Sequence, residues 1–210
     1  LYIELLDALN SHFQHTPYLL GGSPCIGDFG LLAPLYGHLA RDPHPAALMK
    51  KRAPRVYRWV ERMNRASQDA QEYFNCDTDF FQKNEIPETL IAVLRVLSQD
   101  FIPETVASAK CLNVWLSEQN PKTGSPAVFQ LGTSPIGNVE FKVRDRVIKA
   151  AIVPYRHFQL QRMHQIFDEV ETKVQMQIKQ ILKSCGMADL LNIRLNRLIG
   201  RRDNLEVWLD

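Results

Sequence analysis

The fold of this chain is decided by the stretch from Thr16 to Met63, which opens with Thr16-Pro17-Tyr18-Leu19-Leu20-Gly21-Gly22-Ser23-Pro24. Two adjacent glycines and a Ser-Pro pair cannot continue a helix, so the chain changes direction here. A helix follows in one of two registers. Either Ser23 is the N-cap with Pro24 at the first helical position, or Cys25 is the N-cap with Asp28 at the third. In the second register the Asp28 carboxylate accepts a hydrogen bond from the Cys25 N–H, as in a capping box.

Two helices are predicted within this stretch. In the first, the spacing of the apolar residues covers much of the circumference, which predicts a helix buried on most sides, and Pro34 predicts a kink in its middle. Arg41-Asp42-Pro43 ends that helix. The second starts at Pro54 and carries one apolar stripe, formed by Val56, Trp59, Val60 and Met63.

The same residues resemble the C-terminal helical domain of the glutathione S-transferase superfamily. The family pattern is Leu-Gly, a short gap, Ser or Thr, two residues, Asp, and later a Pro before a Trp-containing helix. The matching segments are Tyr18-Leu19-Leu20-Gly21-Gly22, Ile26-Gly27-Asp28-Phe29, Ala53-Pro54-Arg55-Val56 and Trp59-Val60-Glu61-Arg62-Met63-Asn64. One departure is Cys25 in place of Ser or Thr, and because thiols accept hydrogen bonds poorly, we expect a weaker cap.

The resemblance is strongest over residues 1–64. Over residues 86–162 it is weaker, and there Pro154-Tyr155 and Gln161-Arg162 are similar to a pattern in bacterial members with a long C-terminal extension. The chain also enters a helical stripe at Tyr2 with no capping residue before it. We therefore expect the natural protein to extend further towards the N-terminus.

The resemblance implies a function for the intact protein. A thioredoxin-like N-terminal domain, absent from this chain, would bind glutathione as co-substrate and supply the catalytic residue, so none is assigned here. The helical domain would provide a wall of the pocket for a small electrophile and contacts for a homodimer, in the cytoplasm. Tyr36 and Tyr155 are the candidates to line that pocket, whereas Cys25 and Asp28 have a structural, helix-capping role. The alternative is a non-enzymatic binding or scaffold module of the same superfamily.

Composition supports a globular protein and points to no special partner. The 210 residues include 25 Lys and Arg against 23 Asp and Glu, a net charge of +2 that does not favour nucleic acid or an anionic membrane. Four cysteines without short paired spacing read as reduced thiols, not as a disulfide framework or zinc site. No apolar run has the length of a membrane span, and no signal peptide is recognised.

One local cluster of basic residues offers a third hypothesis. Its members are Lys50, Lys51, Arg52, Arg55, Arg58 and Arg62, with Arg201-Arg202 further along the chain. Such a cluster can contact nucleic acid, an acidic partner or the expected N-terminal domain. The only aromatic residues interleaved with it for base stacking are Tyr57 and Trp59, and Trp59 is expected in the core. We expect a solvated helix face instead, and no nucleic-acid partner.

We predict a mainly α fold: a glutathione S-transferase C-terminal-like helical bundle over residues 1–66, a linker or surface loop over 67–86, and a helical extension with short strands over 87–210. In the extension, Pro87 opens a helix that Pro103 breaks, and a second helix ends near Asn120. Alternation at Val139, Phe141 and Val143 predicts a short strand. Alternation at Ile193 and Leu195, and again from Leu205 to Leu209, predicts a closing hairpin with its turn at Gly200 to Asn204.

A long helix is predicted from about Val147 to Lys183. Its apolar seam indicates either packing within the chain, which we favour, or a dimer interface; the seam residues are Leu160, Met163, Phe167, Val170, Val174 and Ile181. The opposite face carries potential metal ligands, namely His157, Gln161, His164, Asp168 and Glu171. A polar stripe of this kind is usually the solvent side of a helix, so no metal site is expected. Cys25 could be a reactive thiol at a helix N-terminus, but the neighbouring Asp28 favours the structural role.

Overall fold

The computed structural model describes residues 1–65, 72–127 and 136–210. The predicted mainly α fold is confirmed: helices dominate, and the strands form two small antiparallel hairpins. The chain divides into two compact units, Leu1–Val96 and Leu97–Asp210. The boundary between them falls inside α5 (Glu88–Gln119).

The first unit packs short helices around Trp59. They are α1 (Tyr2–His12), α2 (Ile26–Pro34), α3 (Pro43–Arg52) and α4 (Pro54–Met63), with the start of α5. Trp59 is fully buried, and its ring stacks on Phe13 with centroids 5.1 Å apart. The predicted stripe of α4 is correct, since Val56 and Val60 are also buried. Sequence patterning did not predict α3, because it buries only Ala46 and Met49 and so carries almost no periodic signal.

Pro34 changes the type of helix. α2 ends at Pro34, and the next five residues, Leu35–Leu39, form a π-helical turn in which the Ala40 N–H donates to the Leu35 carbonyl at 2.7 Å. A proline removes one donor and crowds the preceding turn, and the wider π turn absorbs both effects. The prediction that this helix is buried on most sides is wrong. Asp28 is the one buried residue of α2, all of which the structure describes.

The Gly21-Gly22 turn is held by a second segment. The Gly22 N–H donates to the Asp79 carbonyl at 2.8 Å, and the Phe81 N–H donates to the Leu20 carbonyl at 2.9 Å. A Cβ on Gly22 would lie 1.5 Å from the Asp77 carbonyl oxygen, and Gly21 has a φ of +119°. Only glycine allows this approach. The described end of the predicted 67–86 loop is therefore paired with the turn, while residues 66–71 lie outside the described part.

Pro103 does not break the helix that contains it. α5 runs without interruption from Glu88 to Gln119, so the predicted break is wrong. A mid-helix proline costs about 3 kcal/mol. The helix continues because buried apolar residues recur at helical spacing on both sides, including Leu90 and Val93 before it and Leu112 and Leu116 after it.

In the second unit, three elements occupy the residues of the predicted long helix: strand β2 (Arg146–Ala151) and helices α6 (Pro154–Glu169) and α7 (Thr172–Ser184). Strand β2 pairs with the preceding strand β1 (Asn138–Val143). Val170 and Glu171 between the helices are extended, with ψ of 155° and 147°. The predicted continuous helix is thus wrong, because 147–151 satisfies its backbone groups in a hairpin. The coiled-coil-like seam does not exist as one stripe.

The closing hairpin is confirmed, with a shift of its first strand. β3 (Ile199–Arg202) pairs with β4 (Leu205–Trp208), so β3 lies where the turn was expected. The true turn is Asp203-Asn204, with φ of 50° and 63°, values that match the right-handed twist of a two-residue hairpin. This hairpin closes the core of the second unit, which contains Leu112, Leu116, Ala127, Val139, Ile152, Ile199 and Trp208.

Candidate functional site

The start of α2 adopts the Cys25 register. Cys25 has extended backbone angles, and its N–H donates to Asp28 Oδ2 at 2.9 Å. Both halves of the capping box are present, with the Cys25 side chain facing the Asp28 N–H. Ser23, the other predicted cap, instead donates its hydroxyl to the Thr78 carbonyl. The carboxylate thus carries the stronger half of the box.

Asp28 also joins two other parts of the first unit. The side chain is fully buried, and Oδ1 accepts hydrogen bonds from the Leu19 N–H at 3.2 Å and from Trp59 Nε1–H at 3.1 Å. With the bond from Cys25, three donors satisfy one buried carboxylate. A buried charge is tolerated only with such partners. Asp28 therefore ties the glycine turn, α2 and α4 together, which is a structural role.

The Cys25 thiol is not activated. Burial raises the pKa of the Cys25 thiol, and the neighbouring Asp28 carboxylate acts in the same direction. A nucleophilic cysteine needs a depressed pKa. At neutral pH this thiol stays protonated, which favours its structural role at the cap.

Tyr36 lies on the π-helical turn beside α4. Its side chain is half-buried, and its phenol oxygen accepts a hydrogen bond from Asn64 Nδ2 at 2.6 Å. The Arg41 guanidinium lies 4.1 Å from the ring centroid, a cation–π contact, and is 3.7 Å from Glu61. Because the phenol oxygen accepts from Asn64, its own O–H remains able to donate.

Tyr155 belongs to the second unit, in the first turn of α6. Its side chain is 44% exposed, and its ring centroid is 6.2 Å from that of Phe158. Tyr36 and Tyr155 therefore belong to different units, and the pocket role of each stays a prediction.

One face of α2 and its π-helical continuation is exposed and apolar. Ile26 is 88% exposed and Phe29 57%. The other exposed apolar residues at helical spacing along this face are Gly30, Ala33, Pro34 and Gly37. We call it the α2 apolar face. A continuous apolar surface of this kind is typical of a contact site.

The polar stripe of α6 points into the second unit, so the predicted solvent-side interpretation is wrong for its first three members. His157 Nε2 lies 2.9 Å from the Ser108 hydroxyl, and His164 Nε2–H donates to the Leu190 carbonyl at 2.6 Å. Gln161 accepts from the Ile199 N–H and donates to the Ile199 carbonyl, both at 3.0 Å. Gln161 thus binds the backbone at the start of β3, His164 binds a carbonyl of the short 3-10 helix Ala188–Leu191, and His157 pairs with a side chain of α5. These partners are distant in sequence, so periodicity alone cannot reveal them.

The two histidines line a small cavity of about 30 Å³, with room for one or two water molecules. Burial, followed by the charge of Arg156, lowers the pKa of His157 to about 4. Burial also lowers the pKa of His164. Asp168 and Glu171, the other members of the stripe, are exposed. Within the described ranges no three His, Cys, Asp or Glu side chains are grouped as metal ligands would be.

His12 is a buried polar residue that the sequence did not single out. Its Nε2–H points at the Leu19 carbonyl, 3.1 Å away, and its Nδ1 lies 2.9 Å from the Thr89 hydroxyl. Burial lowers the pKa of His12. Its burial could have been inferred from the sequence, because His12 lies three residues after Leu9 on the apolar stripe of α1.

Four of the eight residues of the basic cluster are paired with acidic side chains. Arg52 contacts Asp7 at 2.6 Å, while Arg58 and Arg62 contact Glu72 at 3.4 and 2.9 Å. Further along the chain, Arg201 pairs with Glu206 at 3.0 Å. Among the described residues, the other four members, Lys50, Lys51, Arg55 and Arg202, are not part of these pairs. This pairing offsets the charge that a polyanion would need.

Comparison with known proteins relates the first part of the chain to a known family. Residues 2–62 match a family model described as "Glutathione S-transferase, C-terminal domain". The resemblance to the C-terminal domain of this superfamily is thereby confirmed for that segment. No curated protein and no solved structure matches the chain. In the part of the chain that the structure describes, no helix has both the length and the apolar character needed to cross a membrane.

Proposed function

We propose that residues 1–65 serve as the C-terminal helical domain of a glutathione S-transferase-like protein that, when intact, conjugates glutathione to small electrophiles. The observation that carries the proposal is the family match over residues 2–62. The buried Asp28 supports it, because it stands at the capping position of the family pattern and organises the unit.

The chemistry requires a thiolate. The thiol of glutathione loses its proton to solvent, and the thiolate sulfur forms a bond to the electrophilic carbon as the leaving group, such as chloride, departs. Lowering the thiol pKa therefore raises the reactive fraction at neutral pH. The hydrogen-bond donor that would stabilise the thiolate belongs to the proposed thioredoxin-like domain. The present chain contributes positioning: the α2 apolar face would contact other parts of the protein and a homodimer partner, and the Tyr36 O–H would face the electrophile. A cytoplasmic location and Tyr155 as a second wall residue belong to the same proposal.

The test is a conjugation assay on the intact native gene product that contains this chain. We expect it to join glutathione to 1-chloro-2,4-dinitrobenzene, and the 210-residue chain alone to show no activity. Tyr36→Phe should raise the KM for the electrophile and leave the KM for glutathione unchanged. Tyr57→Phe is the matched control, because this half-buried tyrosine contacts Lys50 on α3 instead.

Other outcomes separate the proposals. If the intact protein binds glutathione without conjugating it, or binds neither substrate, the alternative of a binding or scaffold module is favoured. The α2 apolar face, an exposed contact surface, is the observation consistent with that alternative. A native protein that proves to consist of this chain alone would overturn the transferase proposal.

A further inference from the structure

The turn between α5 and β1 is fixed in place by β4. The Ser125 N–H donates to the Lys122 carbonyl at 3.0 Å, and Gly124 has a φ of +82°. The Gly124 N–H donates to the Trp208 carbonyl at 2.8 Å, and the Trp208 N–H donates to the Ser125 carbonyl at 3.0 Å. These bonds hold the Thr123 hydroxyl at a defined position on the surface of the second unit.

Arg197 reaches this turn with a fully oriented guanidinium. Its Nε–H donates to the Leu209 carbonyl at 2.9 Å, Nη1 donates to the Pro121 carbonyl, and Nη2 donates to Thr123 Oγ at 3.0 Å. The side chain is only 16% exposed. Because three bonds fix its fork, little entropy remains to be lost when it binds an anion.

Two further cations reach the same turn. Arg202 Nη1 lies 3.3 Å from the position that a Cβ of Gly124 would occupy, and Lys122 is exposed within the turn itself. Among residues 1–65, 72–127 and 136–210, Arg202 has no carboxylate within ion-pair distance. Within those ranges, its charge is therefore not offset by an acidic side chain.

One carboxylate already occupies the turn. Asp210 Oδ1 accepts a hydrogen bond from the Thr123 hydroxyl and lies 3.6 Å from Arg197 Nη2. The Asp210 side chain is 90% exposed, so displacing it costs little. Its oxygen shows where an anionic oxygen is accepted, and three cations against one carboxylate leave an excess of positive charge.

We propose that Lys122, Thr123, Arg197 and Arg202 form a binding site for a phosphate group, whose oxygens replace the Asp210 carboxylate. A phosphate dianion offers several acceptor oxygens, and oriented guanidiniums bind such groups in charge-assisted pairs. The site lies within the second unit and does not depend on the proposed transferase activity.

The test is a titration of the full chain with inorganic phosphate, in which the backbone amide resonances of Thr123 and Gly124 are monitored by NMR. A titration with sodium chloride at equal ionic strength is the control. We expect saturable shifts with phosphate. Arg202→Gln should weaken binding by about tenfold or more, because it removes a charge-assisted contact. Asp210→Asn should strengthen binding, because it removes the competing carboxylate. Lys122→Gln provides a second weakening variant.

Arg162→Gln is the matched control, since Arg162 is an exposed arginine of α6 outside the site. Equal shifts with chloride, equal losses in Arg162→Gln and Arg202→Gln, or weaker binding in Asp210→Asn would each overturn the proposal. A parallel titration with O-phosphoserine identifies the source of the group: tighter binding than inorganic phosphate assigns the site to a phosphate ester, and equal binding assigns it to the free ion.

Discussion

At the scale of single residues, Asp28 joins the most parts of the first unit. Its two oxygens accept from a loop N–H, a helix-cap N–H and an indole N–H. The bonds from the Leu19 N–H and the Trp59 indole N–H are buried, and the bond from the Cys25 N–H is partly buried. Leaving buried donors unsatisfied costs more than the hydrogen bonds themselves contribute.

Asp28→Ala should lower the free energy of unfolding by about 3 kcal/mol or more, since it leaves buried donors without an acceptor. The measurement is urea denaturation of the full chain, followed by circular dichroism. Asp42→Ala is the control: Asp42 is exposed and makes no side-chain cap bond to α3, so its loss should stay within about 0.5 kcal/mol. Equal effects of the two substitutions would refute the structural role of Asp28.

Sequence reasoning predicted some residues well for a physical reason. A helix cap depends on residues close in sequence, so local spacing narrowed the N-cap of α2 to Ser23 or Cys25. The structure has the Cys25 register. His12 and His157 could not be assigned in this way. Their partners, Thr89 and Ser108, are distant in sequence, so only the folded chain brings the groups together.

At the scale of elements, strong patterns were predicted and weak ones were not. α4 has a clear apolar stripe and appears as predicted, and so does the alternation that gives β1 and β4. β2 was assigned to a helix, because six residues are too few to separate the two periods. The continuity of α5 through Pro103 was not predicted, because proline is a local signal for a helix break. Packing along the helix outweighs that signal in the folded chain.

Pro103→Ala should stabilise the chain by about 1–3 kcal/mol, because alanine restores a backbone donor to the middle of α5 and has a higher helix propensity. Thermal unfolding monitored at the helical circular dichroism band measures the change. Pro54→Ala is the matched control, since Pro54 is exposed at the first position of α4, where proline is tolerated. A lower melting temperature for Pro103→Ala would show that α5 requires the proline.

At the scale of the whole molecule, buried neutral histidines link stability to pH. His12, His157 and His164 are all buried, and in each the folded pKa lies below its ordinary value. As pH falls, the unfolded chain therefore binds protons at these histidines at a higher pH than the folded chain does. Stability is therefore complete above the ordinary pKa of 6.5 and decreases as pH falls below it.

Between pH 6.5 and about 4, His157 should account for a loss of as much as about 3 kcal/mol in the free energy of unfolding. Urea denaturation across this range measures the slope, and His157→Gln should flatten it because glutamine does not titrate. His44→Gln, at an exposed histidine, is the control and should leave the slope unchanged. An unaltered slope in His157→Gln would contradict the assignment.

The core of the second unit joins residues that the ribosome synthesises far apart in time. Leu112 and Leu116 lie early in its sequence, whereas Ile199 and Trp208, which complete the same core, lie more than 80 residues later. A ribosome must therefore deliver almost the whole segment before this core can close, and until then the apolar side of α5 has no final partner. The first unit, in contrast, consists of the continuous segment Leu1–Val96, all of which is synthesised before the second unit begins. Premature termination shortly before Trp208 should therefore leave the core of the second unit incomplete.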